Sequence, residues 1–238
     1  MSTYIFESKK IESIVDFIDS ETFFIFDIDH TLIETAQVIG STHWEKHFIR
    51  RQMDQGLSYE DASKRSFALW KQIQKSTEVR TIENGIFRLV SFLKTHNIPT
   101  LGLTSRDHDL MDLTFDQLKK VNLENVFNLD HPPHALEAEL ECHFSRGAVF
   151  CGDNPKDIAL KALFKKNDIA PKKIIFIDDQ KDHLYELEEM AYHAEIEYIG
   201  MQYTASNHER FNSDIAVIQE KHLPNILSDD EALKLMQN

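Results

Sequence analysis

Four short apolar runs, each ending in a cluster of polar groups, restrict this chain to a parallel α/β architecture. Phe23-Phe24-Ile25-Phe26 runs into Asp27-Ile28-Asp29-His30-Thr31, and Ile98-Pro99-Thr100-Leu101-Gly102-Leu103 into Thr104-Ser105-Arg106. Ala148-Val149-Phe150-Cys151 runs into Gly152-Asp153-Asn154-Pro155-Lys156, and Ile174-Ile175-Phe176-Ile177 into Asp178-Asp179. Runs this short, rich in aromatic and β-branched residues, read as strands buried on both faces. The segments between them carry apolar residues at helical spacing, such as Ile86, Leu89, Val90 and Leu93 within 82–96. Strand, crossover helix and strand make a parallel unit. In open sheets of this kind ligands bind outside the carboxyl ends of the strands, which is where all four polar clusters fall.

The remaining elements follow from the same periodicities. A helix is expected over 8–19 from Ile11, Ile14, Val15 and Ile18, and others over 108–121, 157–166 and 184–191. Glu197-Tyr198-Ile199-Gly200 reads as the last strand. Residues 40–78 read as two or three polar helices with Trp44, Phe48, Phe67, Leu69, Trp70 and Ile73 on the apolar side, broken at Gly56. Ser58 is placed to cap one of them through Asp61. Residues 128–147, with Asp130-His131-Pro132-Pro133-His134 and an acidic run, read as an irregular insert or hairpin.

Composition narrows the function classes. A net charge of -14 argues against bulk attraction to nucleic acid or anionic membranes. No stretch approaches a membrane span and the amino terminus has no basic, apolar signal pattern, so a soluble cytoplasmic protein is expected. Cys142 and Cys151 make no disulfide framework. Of the twelve histidines, His43 and His47 sit one helical turn apart and His131 and His134 flank a proline pair. No H-E-x-x-H and no Cys/His quartet accompanies them, so solvated or supporting roles are expected.

The strand ends supply two carboxylate pairs, a hydroxyl and a lysine. Asp27 and Asp29 point the same way, because strand side chains repeat every second residue. Like charges held together need a cation or a proton between them. Lys156 follows a Gly-Asp-Asn-Pro turn at a helix amino terminus, a place that already favours anions; Lys161 is its rival, one turn later. The set matches a phosphoryl-transfer site with nucleophile, oxygen donor, cation and metal ligands.

In their order and placement these elements resemble the haloacid dehalogenase (HAD) superfamily of phosphohydrolases. Asp27-Ile28-Asp29-His30-Thr31 looks like its first motif, Thr104 the second, Lys156 the third and Asp178-Asp179 the fourth. The resemblance covers roughly residues 20–205. Ile98 to Arg106, and Ile199-Gly200-Met201-Gln202-Tyr203-Thr204-Ala205, look like a bacterial HAD subfamily, with several host-associated members, labelled only as a domain of unknown function.

The resemblance implies a three-layer Rossmann-like core over 1–38 and 79–238, with a small helical cap inserted over 39–78. It implies a magnesium-dependent phosphatase acting on a phosphate monoester. Asp27 would be the nucleophile and Asp29 the acid and base. Thr104 and Lys156 would complete the catalytic set, and Ser105 and Arg106 would contact the substrate. Magnesium would be held by Asp27, Asp29 (through its carbonyl oxygen), Asp178 and Asp179, with Asp179 the favoured direct ligand of the last pair. Many relatives carry Asn or Asp at the position of His183, and Asp182 is the candidate replacement. A phosphotransferase or mutase at the same site, and a non-catalytic regulatory or host-interaction protein, are the alternatives.

Overall fold

The structure, a computed structural model, describes residues 2–206 and 211–237. In chain order the strands are β1 (Thr3–Ser8), β2 (Thr22–Phe26), β3 (Ile33–Thr35), β4 (Val79–Thr81), β5 (Thr100–Thr104), β6 (His134–Ala135), β7 (His143–Ser145), β8 (Ala148–Phe150), β9 (Lys173–Asp178) and β10 (Glu197–Tyr203). The α-helices are α1 (Thr42–Asp54), α2 (Tyr59–Ser76), α3 (Gly85–Thr95), α4 (Met111–Lys120), α5 (Lys156–Asn167), α6 (Lys181–His193), α7 (Ser213–Lys221) and α8 (Asp229–Met236). Short 3-10 helices cover Ile11–Phe17 and His108–Leu110. The described residues fall into two compact units, one from 2–33 and 81–206, the other from 34–80 and 211–237.

The first unit is built on an eight-stranded sheet of order β1-β10-β9-β2-β5-β8-β7-β6. The strands from β1 to β8 in that order run parallel, and β7 and β6 complete the sheet antiparallel. Every residue of β2, β5, β8 and β9 is buried, which explains why these strands read as unbroken apolar runs. After β2 the chain moves to β5 and then β8, and after β9 it moves to β10 on the other side. Loops leaving β2 and β9 therefore diverge, and a crevice opens at their carboxyl ends. Asp27 follows β2 directly and Asp178 closes β9, so the fold brings two of the expected residues to that crevice.

Three features refine or add to the sequence reading. The helix expected within 8–19 is a 3-10 helix over Ile11–Phe17, and it ends at Ile18, whose backbone is extended. Asp19 then accepts hydrogen bonds from the Glu21 amide and the Thr22 hydroxyl. β1 is an additional edge strand paired in parallel with β10. Residues 128–147 supply β6 and β7; the turn between β7 and β8 holds Arg146 and Gly147 at φ of 48° and 76°, the signs a two-residue hairpin turn of the primed class requires.

In the second unit α1 and α2 are capped by Ser41 and Ser58, whose side chains accept from the Trp44 and Asp61 amides. Val38, Ile39, Trp44, Phe48 and Ile73 share one apolar cluster with Ile215, Ala216 and Ala232 of α7 and α8. The expected grouping placed residues beyond 206 with the sheet. Their apolar side chains instead pack into this cluster, because α7 and α8 are amphipathic segments whose buried faces pair with α1 and α2.

Candidate active site

Lys156 organises the crevice. It is the first residue of α5, after Pro155, and it is almost wholly buried. Its Nζ lies 2.6 Å from Asp27 Oδ1 and 2.7 Å from Asp178 Oδ2. Lys161, the rival candidate, pairs with Asp157 on the helix surface and does not reach the aspartates. Burial acts against charge on Lys156, but the two carboxylates outweigh it and hold the ammonium well above its ordinary range. Burial also raises the carboxyl of Asp27, to about 6, with the charge of Asp178 adding to the rise and Lys156 opposing it.

Asp29 is held differently. Arg106 grips its carboxylate with both arms, Nε at 2.7 Å and Nη2 at 2.8 Å. The Nη1 of Arg106 donates to Thr114 Oγ1 and Gln117 Oε1 on α4. Burial would raise the Asp29 carboxyl, but the adjacent guanidinium overcomes it and holds the group below the usual carboxylate range. The expectation that Arg106 contacts substrate is corrected on this point. Its guanidinium is buried and committed to Asp29, Thr114 and Gln117. Thr114 and Gln117 are one helical turn apart on α4, and nothing in their local sequence marks them as partners of Arg106.

Thr104 ends β5, buried, with its Oγ1 accepting from the Arg106 amide. Ser105 beside it stays exposed. His30 occupies the left-handed region at φ 61°, uncommon for a non-glycine residue, and its amide donates to Ile33 carbonyl oxygen, so it shapes the loop after Asp29. Cys151 is buried and its thiol is pushed up, chiefly by burial, which leaves it unreactive.

Asp178 and Asp179 separate by hydrogen bonding. Asp178 Oδ1 accepts from the Gln180 amide, and Oδ2 accepts from Lys156 and lies 3.0 Å from His183 Nδ1. Asp179 Oδ2 accepts from the Gln180 side chain. Burial and the charges of Asp27 and Asp178 push the Asp179 carboxyl up to about 8. His183, where a carboxylate or amide was expected, thus supports Asp178, while Asp182 is exposed.

Oxygens of Asp27, Asp178 and Asp179 lie within 4.8 Å of one another. A purely carboxylate set suits a hard dication such as magnesium. The raised Asp179 carboxyl is the further sign of fit, because three crowded carboxylates carry more negative charge than one lysine offsets.

Known proteins resemble this chain along nearly its whole length. A Chlamydia trachomatis protein named "Putative outer membrane protein" is 27% identical over 96% of this chain and 87% of its own. An uncharacterized Rickettsia prowazekii protein is 23% identical over 98% of this chain and 90% of its own. Among solved structures, a haloacid dehalogenase-like hydrolase from Streptococcus pneumoniae has a TM-score of 0.47 at 15% identity, covering 76% of this chain and 95% of its own. The class C acid phosphatase from Bacillus anthracis has a TM-score of 0.40 at 12% identity, covering 94% of this chain and 81% of its own. The relatives overturn the expected cytoplasmic location, since proteins of C. trachomatis, C. pneumoniae and C. muridarum all carry that outer-membrane name. Among the described residues no helix is long and apolar enough to cross a membrane. Residues 7–233 match the family described as "Protein of unknown function (DUF2608)", and the chain belongs to that family.

Proposed function

We propose that this chain is a phosphohydrolase that works through a phosphoaspartyl intermediate on Asp27, with magnesium as cofactor and a phosphate monoester as substrate. The observation that carries the reading is the buried Lys156 ammonium shared between Asp27 and Asp178 at the crevice where the strand order reverses. An oxygen of Asp27 attacks phosphorus, and the bond from phosphorus to the ester oxygen breaks. Asp29, ionised at rest by its pair with Arg106, takes up a proton from solvent as the anionic phosphate enters beside it and gives that proton to the leaving oxygen. In the second step Asp29 takes a proton from water, the water oxygen attacks phosphorus, and inorganic phosphate leaves with Asp27 regenerated.

Lys156 keeps Asp27 from being neutralised by a proton and offsets the charge of the incoming phosphoryl group. Thr104 donates its hydroxyl to a phosphoryl oxygen, and exposed Ser105 is the neighbouring substrate contact. Arg106 acts through Asp29, fixing where its carboxylate points. Asp27, Asp178, Asp179 and the Asp29 carbonyl would hold magnesium, with Asp178 also holding Lys156 in place; when bound, the ion would supply charge stabilisation for the phosphoryl oxygens.

The test is hydrolysis of a generic phosphate ester with and without magnesium, beside the Asp27→Asn protein. Wild type should be active only with the dication, and Asp27→Asn should lose activity by several orders of magnitude while remaining folded. Hydrolysis by Asp27→Asn at the wild-type rate would remove Asp27 from the nucleophile role.

A further inference from the structure

A second set of ligand-type side chains lies apart from the aspartate cluster. His108, Glu141 and His143 each place a nitrogen or a carboxylate oxygen so that all three atoms lie within 4.8 Å of one another. His108 opens the 3-10 helix that follows β5 and the Ser105-Arg106 loop. Glu141 and His143 straddle the entry to β7. Along Glu141, Cys142 and His143, exposure alternates: Cys142 is buried in the core while its two neighbours face the other way, together.

The contacts among the three are open-ended. His108 Nε2 lies 3.5 Å from Glu141 Oε1, too long for a good charged hydrogen bond. The His108 and His143 rings are tilted by 36° with centroids 4.7 Å apart. His143 Nδ1 is sealed from solvent and has no hydrogen-bond partner among the described residues. Buried polar atoms are normally satisfied, so this nitrogen marks the His143 ring as one whose hydrogen-bonding capacity the described residues do not use. The backbone beneath is braced. Buried Asn154, in the loop after β8, accepts from the Leu140 amide at 2.9 Å and donates to the Glu141 and Cys151 carbonyl oxygens at 3.3 Å and 2.8 Å.

We propose that His108, Glu141 and His143 bind one transition-metal dication of the zinc class, at a site separate from the aspartate cluster. Two imidazoles and one carboxylate are a borderline-soft set that suits zinc and disfavours magnesium. The His108 and Glu141 side chains keep 41% and 65% of their exposure, which gives the ion an entry path, and three protein ligands leave a fourth position for water. The ion would tie the hairpin of β7 and β8 to the loop after β5.

The test uses the full chain, stripped with a chelator and titrated with zinc ion alone against a chromophoric competitor, with cobalt spectra as a second readout. Wild type should bind one zinc equivalent that survives in Asp179→Asn. His108→Ala and His143→Ala should each weaken that equivalent by roughly tenfold or more, the scale on which even supporting groups act, and should alter the cobalt spectrum. Absence of zinc binding by wild type, or wild-type affinity in both histidine variants, would overturn the site. Circular dichroism checks folding; if His143→Ala unfolds, the more accessible position His108 decides the question alone.

Discussion

At the scale of single residues, the pair Arg106 and Asp29 distinguishes two chemistries. A guanidinium that grips the substrate phosphate would, when shortened, raise KM for every substrate alike. One that orients the acid would act on the step in which the leaving oxygen is protonated. Arg106→Lys keeps the charge but cannot span Asp29, Thr114 and Gln117 at once. The expected result is a fall in kcat of about 10²-fold, within the range of general acid catalysis, for an alkyl phosphate. An aryl ester with a good leaving group should lose far less. A uniform rise in KM with kcat intact would return Arg106 to the substrate. Asp27, Lys156 and the Asp178-Asp179 pair were legible because each stands directly at the end of a buried strand or the turn after it. The commitment of Arg106 to Asp29, and the meeting of His108 with Glu141 and His143, were not. Those partners lie tens of residues apart, and no short-range pattern links them.

At the scale of elements, the parallel strands were legible for a physical reason: burial on both faces removes polar residues from them altogether. β1 has partly exposed positions and mixes Tyr4, Ile5 and Phe6 with polar neighbours, so it produced no such run. α8 carries a signal that can be read from sequence, Ser228 followed three residues later by Glu231, and the two make a reciprocal capping box. Gly102 shows what packing adds beyond pattern. It lies mid-strand in β5, where a Cβ would come within 2.6 Å of the Phe127 ring and 2.9 Å of Ala148 Cβ. The glycine lets Phe127 lie against the strand. Gly102→Ala should therefore destabilise the protein by about 1–3 kcal/mol, as overpacking does. Adding Phe127→Leu should recover part of the loss, because the smaller side chain leaves room for the methyl group. Urea denaturation of the single and double variants measures this, and equal midpoints for Gly102→Ala and wild type would show that the ring moves aside freely.

At the scale of the whole molecule, each unit has its own apolar cluster, and the second one is assembled from distant stretches of chain. Gln219 of α7 is buried and accepts from the Ile39 amide at 3.1 Å, while Asp229 of α8 accepts from the Val38 amide at 2.9 Å. Trp44 Nε1 donates to Glu220 at 2.8 Å. Ending the chain after Ser206 would remove these acceptors together with Ile215, Ala216 and Ala232. Each donor left buried without a partner costs about 1–3 kcal/mol, and the lost apolar burial adds to that. The unit of α1 and α2 should therefore loosen, while the sheet keeps the core formed by β2, β5, β8 and β9 with α5 and α6. Hydrogen exchange on the shortened chain should show protection lost across 38–76 and retained in β2, β5 and β9. Wild-type protection across 38–76 would show that α7 and α8 are dispensable to the unit.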